Sequence, residues 1–423
     1  MPWPRWKQKV YPPANPKPVT LPVPPSSRQI LARKAWLGPD TFAENVTITF
    51  DTVIRAVQPG SKEPHDHDSH QVDFLTPGFI NAHCHLEYSH LAGTMPCGAI
   101  PFGEWMSAIV ARGNDDPEHR RHGMITGARQ LIAGGCTTVL DSTTDGSSEA
   151  ILVEAGLRTI QFHEVLGLTR ERAEPILSRA LEFTRLPGHY LNPHAPYSVG
   201  PWLRQQLRTL PRGQFPQAWH LAESADEDEL FRHATGSIAD FLRRFGLPFP
   251  YEEMPGVSPA EFLQREGLMD DCDLAFHGNQ LSDREAAWFT APRGLVHCPG
   301  TQRWFQRSPA PLRKWLDAGV NLCLGTDSLA SSDSLSMLAN LHIAAKQHPD
   351  ITSDELLRMV CWNPAQVSLV KNIGLTGTLE PGALADFVAL TSQTGHTSAQ
   401  WEDVLLSPTG RVEKVWIGGE VRS

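Results

Sequence analysis

The stretch Phe79-Ile80-Asn81-Ala82-His83-Cys84-His85 ends in two histidines one residue apart. Following Pro77-Gly78, it reads as a short buried strand. Successive strand side chains point to opposite faces, so His83 and His85 share one face and Cys84 takes the other. Two neighbouring imidazoles are half the donor set of a borderline ion such as Zn²⁺. In a chain with 18 histidines, ordinary strand ends also produce such pairs. The meaning of this pair rests on where the rest of a ligand set would come from.

Beyond His85 the chain alternates strand-like and helix-like segments. Cys136–Asp141, Arg158–Val165, Tyr190–His194, Gln217–Leu221, Leu274–His277, Gly294–His297 and Asn321–Asp327 read as further short apolar strands. Helical spacing occupies Phe102–Arg112, Glu118–Ala133, Asp226–Arg244, Pro311–Ala318 and Leu335–Gln347. Eight strands with helical crossovers predict a distorted (β/α)₈ TIM barrel, whose functional groups sit at the C-terminal strand ends. Those ends carry His83 and His85, His194, His220 followed by Glu223, His277, His297 and Asp327. One metal-competent group at the mouth of six strands is not the pattern of core histidines.

A catalytic zinc keeps three or four protein ligands and an open water position. His83, His85, His220 and Asp327 supply such a set, and a centre of this kind brings the pKa of its water to roughly 7. Asp327 can also take the water's proton as it attacks. His277 is placed to orient that water, and Glu223 to shuttle a proton to a ring nitrogen or leaving group. The bland alternative for Glu223 is an ion pair with a nearby arginine.

At this point the motifs Pro77–His85, His194-Ala195-Pro196-Tyr197-Ser198, His220-Leu221-Ala222-Glu223-Ser224, His277, His297-Cys298-Pro299 and Leu324-Gly325-Thr326-Asp327-Ser328 resemble the metal-dependent amidohydrolase superfamily. The branch looks like the cyclic-purine and triazine aminohydrolases. Gly377–Asp386 is similar to that family's re-entry into its small β-domain. The resemblance spans roughly residues 28 to 420. It implies hydrolysis at a carbon bearing nitrogen or another leaving group. Binuclear relatives carry a carboxylated lysine at the end of the fourth strand, or a similar bridging carboxylate; this chain has Asn192-Pro193-His194 there, and no lysine between Lys62 and Lys314. One divalent ion is therefore expected, zinc first with iron as the other candidate. The nucleotide deaminases with Pro-Cys-x-x-Cys are excluded, because no Cys-x-x-Cys occurs.

The resemblance extends to deaminases of aminodeoxyfutalosine, with those of S-adenosylhomocysteine, methylthioadenosine and guanine close behind. The expected activity is hydrolytic deamination of a 6-aminopurine-like nucleoside. Cyclic amide hydrolysis or triazine dechlorination is the alternative, and a non-catalytic relative is the third. Candidate substrate residues are Glu87, Trp105, His194, Tyr197 and His297. Trp105 reads equally as an aromatic wall or as helix packing, and Glu87 as a polar reader or an arginine partner. The run Gly300-Thr301-Gln302-Arg303-Trp304-Phe305 departs from relatives that carry Ser then His or Asn.

The elements around the barrel set the frame. Forty per cent hydrophobic and 20% charged residues describe a globular chain with a sizeable core. A net charge of -10 without a basic block argues against nucleic acid and acidic membranes. Seven cysteines, unpaired in spacing, predict reduced thiols in a cytoplasmic protein. A small-molecule substrate is expected, no membrane span is foreseen, and a homodimer is left open. Residues 1–27 are Pro-rich and read as an extended arm. Residues 63–70 hold three histidines in what reads as a solvated loop. Residues 28–73 and 375–423 are β-rich and neither can bury a face alone, so a composite β-sandwich from both chain ends is expected beside a barrel over 74–374.

Overall fold

The computed structural model describes residues 27–60, 69–112, 116–248, 256–371, 374, 377–392 and 399–422. The Pro-rich stretch, apart from its last residue, lies outside them, as do residues 63–68 of the histidine-bearing stretch. Among the described residues no helix is long and apolar enough to cross a membrane.

Two sheets organise the chain. The first joins β1 (Arg28–Gly38), β2 (Thr41–Phe50), β3 (Ile54–Gln58), β4 (Ser69–Pro77), β13 (Phe387–Ser392), β14 (Gly410–Ile417) and β15 (Glu420–Val421) in the order β15-β14-β13-β4-β1-β2-β3. β4 is the junction. It pairs in parallel with β1 and antiparallel with β13, so each chain end supplies strands the other lacks. The sheet curls strongly. β2 and β13 are three strand spacings apart, about 14 Å in a flat sheet, yet the Phe50 and Phe387 rings lie 5.0 Å apart. The curl encloses a core of Ile30, Ile48, Phe50, Phe387 and Trp416, while Trp36, Phe74, Val388 and Val415 face the barrel's core.

The second sheet is the barrel: β5 (Phe79–Cys84), β6 (Cys136–Thr143), β7 (Arg158–Val165), β8 (His189–Pro193), β9 (Gln217–Leu221), β10 (Cys272–His277), β11 (Gly294–His297) and β12 (Leu322–Leu324), parallel and in sequence order. β5, β6, β9 and β11 are buried at every residue, as expected where both faces are covered. The ring closes where the His83 carbonyl accepts from the amides of Thr326 and Asp327, at 3.0 and 3.1 Å. It is distorted between β8 and β9, whose ladder is the single pair Leu191–Gln217.

Two sequence expectations are corrected. Ser69 and His70, read as the end of a solvated loop, open β4, where His70 pairs with Ile30 of β1. Asp226–Arg244 is not a single helix but two, Ala225–His233 and Ser237–Arg244. Ala234 and Gly236 between them take φ of 56° and 92°, outside the helical region. The break turns the second helix across Phe102–Arg112. Gly103 makes that crossing feasible, since a Cβ there would meet the Ser237 carbonyl oxygen at 2.1 Å. Together the two helices roof the barrel mouth.

Asp386 pins the sheet to the barrel. Its carboxylate accepts from Arg158 Nε and Nη2 at 2.7 and 3.1 Å, and from the Gly418 amide at 2.7 Å. Arg158 opens β7. Asp386→Ala leaves the arginine and the amide without their acceptor and is expected to cost roughly 2–3 kcal/mol, discounted because Arg158 is partly exposed. Urea unfolding would measure it.

Candidate active site

The strand ends converge on one point. His83 and His85 leave β5 on one face, His220 comes from β9, His277 from β10, and Asp327 follows β12. His85 Nε2 lies 3.0 Å from His220 Nε2. Asp327 Oδ1 lies 3.7 Å from His83 Nε2 and 3.9 Å from His85 Nε2. Gly325 allows this closeness, because a Cβ there would sit 2.8 Å from the His83 Cβ. Ala222, His277 and Asp327 adopt φ of 51°, 71° and 57°. Such left-handed conformations cost energy and gather at functional sites.

The donors fit a divalent ion. Ligands on a tetrahedral zinc with bonds of ~2.0–2.1 Å are about 3.3–3.4 Å apart, which the observed spacings bracket. Both ring nitrogens of His83 and Nδ1 of His85 and His277 are buried without a hydrogen-bond partner. His83, His85 and Asp327 form one metal-competent trio, and His83, His220 and His277 another. The outer contacts orient the donors. His220 Nδ1 is 2.9 Å from the His194 carbonyl oxygen, which aims Nε2 at the cluster. Asp327 Oδ2 accepts from Thr301 Oγ1 and Ser331 Oγ at 2.9 and 2.8 Å, leaving Oδ1 to the histidines.

Burial keeps the imidazoles neutral, the state in which they ligate metal. It depresses His83 and His220 well below the usual range and takes His85 down to about 3, with neighbouring rings adding to the effect. Glu223 behaves differently. Burial pushes its carboxyl up, but His277 and Arg307 outweigh that and hold it below the ordinary value. Arg307 Nη1 lies 3.1 Å from Glu223 Oε1, and His277 Nε2 is 3.8 Å from Oε2. The arginine partner anticipated as the bland alternative is present, and it leaves Oε2 toward His277.

A cavity of about 350 Å³ opens over this cluster. His85, His194, Tyr197, His220, Glu223, His277 and Asp327 line its inner end, with Glu164. Its outer wall is apolar, from Trp105, Met106, Ile109, Leu168, Phe241 and Leu242. Trp105 is both wall and packing: it stacks on Phe102 at 5.3 Å and donates from Nε1 to the Ala330 carbonyl. His194 Nδ1 is 2.8 Å from Ser198 Oγ, which orients its ring.

Two of the anticipated substrate residues are not on the cavity wall. Glu87 is fully buried, because the 3₁₀ turn Leu86–Leu91 carries it inward against β6. There it accepts from Thr143 Oγ1 and from the amide and hydroxyl of Thr144, with Arg120 4.0 Å away. Burial and nearby carboxylates raise it to about 7. His297 is also fully buried, its ring edge-on to His348 at 6.0 Å.

Four contributors escaped the sequence reading: Glu164, Thr301, Arg307 and Ser331. Glu164 stands one residue before the end of β7, and the strand-end rule that found the histidines would have found it. Thr301 belongs to the divergent run after β11, and Arg307 and Ser331 sit on loops without periodic signal.

A family model described as the amidohydrolase family matches residues 74–422. The chain is 27% identical over 419 residues to the 5-methylthioadenosine/S-adenosylhomocysteine deaminase of Pyrococcus furiosus, covering 90% of this chain and 91% of that one. Its fold is similar to an adenosine deaminase from Xanthomonas campestris with bound zinc (TM-score 0.76, 23% identity, 95% and 93% of the two chains). It is also similar to the aminofutalosine deaminase of Helicobacter pylori in complex with methylthio-coformycin (TM-score 0.76, 21% identity, 93% and 99%). With that match running through the barrel and into the companion sheet, the chain belongs to the amidohydrolase family, hydrolases acting on carbon–nitrogen bonds.

Proposed function

We propose that this protein is a hydrolytic deaminase of a 6-aminopurine nucleoside, working with one divalent metal, zinc first, held by His83, His85, His220 and Asp327. The observation that carries the reading is the pairing of a neutral histidine cluster with an ionised Glu223 at the inner end of an apolar cavity. The name of the 27%-identical relative points the same way. In this reading the barrel over 74–374 carries the chemistry, and 28–73 with 375–423 form its structural companion.

A divalent ion bound there supplies Lewis-acid charge that makes a water-derived nucleophile available near neutral pH. Glu223 Oε2 takes a proton from the attacking water and delivers it to the ring nitrogen beside the amino-bearing carbon. His277 Nε2, facing that oxygen, orients the water and donates to the charge that develops. Asp327 Oδ1 is a second acceptor for the water's proton. His194 and Tyr197 hold the base or sugar, while Trp105 and the roof helices exclude bulk solvent. The water's second proton, taken by Asp327 Oδ1, passes to the departing amine, so ammonia leaves and the ring carbon keeps the oxygen.

The test is a panel assay on metal-replete protein with adenosine, 5'-deoxyadenosine, methylthioadenosine, S-adenosylhomocysteine, aminodeoxyfutalosine and guanine, beside a chloro-s-triazine. Ammonia release matched to the appearance of a 6-oxopurine spectrum on at least one adenosine derivative is the expected result. Chloride release from the triazine with no ammonia from any purine would move the protein to the alternative chemistry.

A further inference from the structure

Three carboxyl groups among the described residues line the cavity: Glu164, Glu223 and Asp327. Glu223 is held by Arg307, and Asp327 by Thr301 and Ser331. Glu164 has no such partner. It stands next to last in β7 with 4% of its surface exposed, and its Oε1 is buried without a hydrogen bond. The nearest basic atom is His85 Nδ1 at 3.9 Å, beyond hydrogen-bond distance. Burying a carboxyl without a partner costs stability, and groups left so tend to mark the place a ligand completes.

The position narrows what that ligand atom is. Glu164 approaches from the third barrel strand, on the Nδ1 side of His85. Glu223, His277 and Arg307 stand on the strands and loops from the fifth to the seventh. A carbon under attack at the cluster therefore has Glu223 on one flank and Glu164 on the other. On a 6-aminopurine that carbon has the ring nitrogen on one side and the exocyclic amine on the other, and the amine is a hydrogen-bond donor. We infer that Glu164 is a substrate-reading residue whose carboxyl oxygen accepts a hydrogen bond from the exocyclic amino group that the reaction displaces. The inference rests on the deaminase reading above.

A second metal ion is the competing use, since His85, Glu164 and His220 also lie close enough to ligate one. The geometry disfavours it. His85 and His220 already point Nε2 at the first cluster, which leaves Glu164 as the one ligand a second ion would have to itself.

The experiment compares wild type with Glu164→Leu on a 6-aminopurine nucleoside and on its 6-chloro counterpart. Both lose their 6-substituent to water, one as ammonia and one as hydrogen chloride, but the chloro compound has no N–H to read. The variant is expected to lose on the order of 10- to 100-fold in kcat/KM for the amino substrate and much less for the chloro one. Metal content should stay at one ion per chain, and Tm should hold or rise, because an unpartnered buried carboxyl has gone. Glu164→Gln, which keeps an acceptor oxygen, should recover most of the amino-to-chloro ratio. If the leucine variant fails to fold, Glu164→Ala makes the same comparison. Equal losses on both substrates, no loss on either, or a fall in metal content would each overturn the assignment. Wild-type protein inert on every purine would overturn the deaminase reading and this inference with it, and that is seen before any variant is made.

Discussion

Glu223→Gln is expected to lower turnover by roughly 10² to 10⁴, with metal content, fold and binding of an inert nucleoside analogue unchanged. The amide keeps the shape of the side chain and removes the titrating oxygen. The site makes the prediction sharp, because Glu223 has two distinct neighbours. Arg307 Nη1 contacts Oε1 at 3.1 Å and also the Glu223 carbonyl at 3.2 Å. The Arg307 guanidinium packs over the Phe305 ring, 4.4 Å from its centroid. That side is a fixed support. Oε2 faces His277 and the cavity, and it is the oxygen that would move a proton. If the carboxylate served the arginine alone, Glu223→Gln would lower Tm and leave turnover per folded molecule near wild type. Measuring kcat and thermal unfolding on the same preparation separates the two.

The second large effect is on metal. Purified protein should hold one divalent ion per chain, and His220→Ala or Asp327→Ala should release it and cut activity on the order of 10³-fold or more, since the acidity a metal lends to water spans roughly nine pKa units. Chelation should do the same to wild type, with activity returning on addition of zinc. His220 is the most informative position. Its Nε2 is 3.0 Å from that of His85, and its Nδ1 is held by the His194 carbonyl, so its removal opens the set without disturbing a charged pair. Elemental analysis showing two ions per chain, or full retention of one in both variants, would refute the ligand assignment.

How much of this was legible in the chain alone differs element by element. The placement of His83, His85, His220, His277 and Asp327 could be read because each stands at or just past the C-terminal end of a short apolar strand. Strand alternation is a local property, and parallel strands in a closed barrel all present their C-terminal ends to one mouth. Glu87 and His297 show where that rule stops. Glu87 lies beyond its strand end, and the direction of its side chain was decided by the 3₁₀ turn that packs it against Thr143 and Thr144. His297 ends β11, but its ring lies against His348 on the helix side of the wall.

The supports came from side-chain contacts, two of them between distant segments. Thr301 and Ser331 meet Asp327 across 26 and 4 residues, and Arg307 meets Glu223 across 84. No period in the sequence encodes such meetings. The split of Asp226–Arg244 is of the same kind: Thr235-Gly236 is only a weak break by itself, and the crossing with Phe102–Arg112 gives it its use. The β-rich ends likewise announced their strands but not their curl, which follows from burying one face of a seven-stranded sheet on itself and the other on the barrel. The sequence by itself determined which strands form and which donors stand at their ends, because alternation and hydrophobic runs act over a few residues. Only the tertiary structure decided which donors face the cavity and which are held, since that depends on packing between segments that the chain brings together from afar.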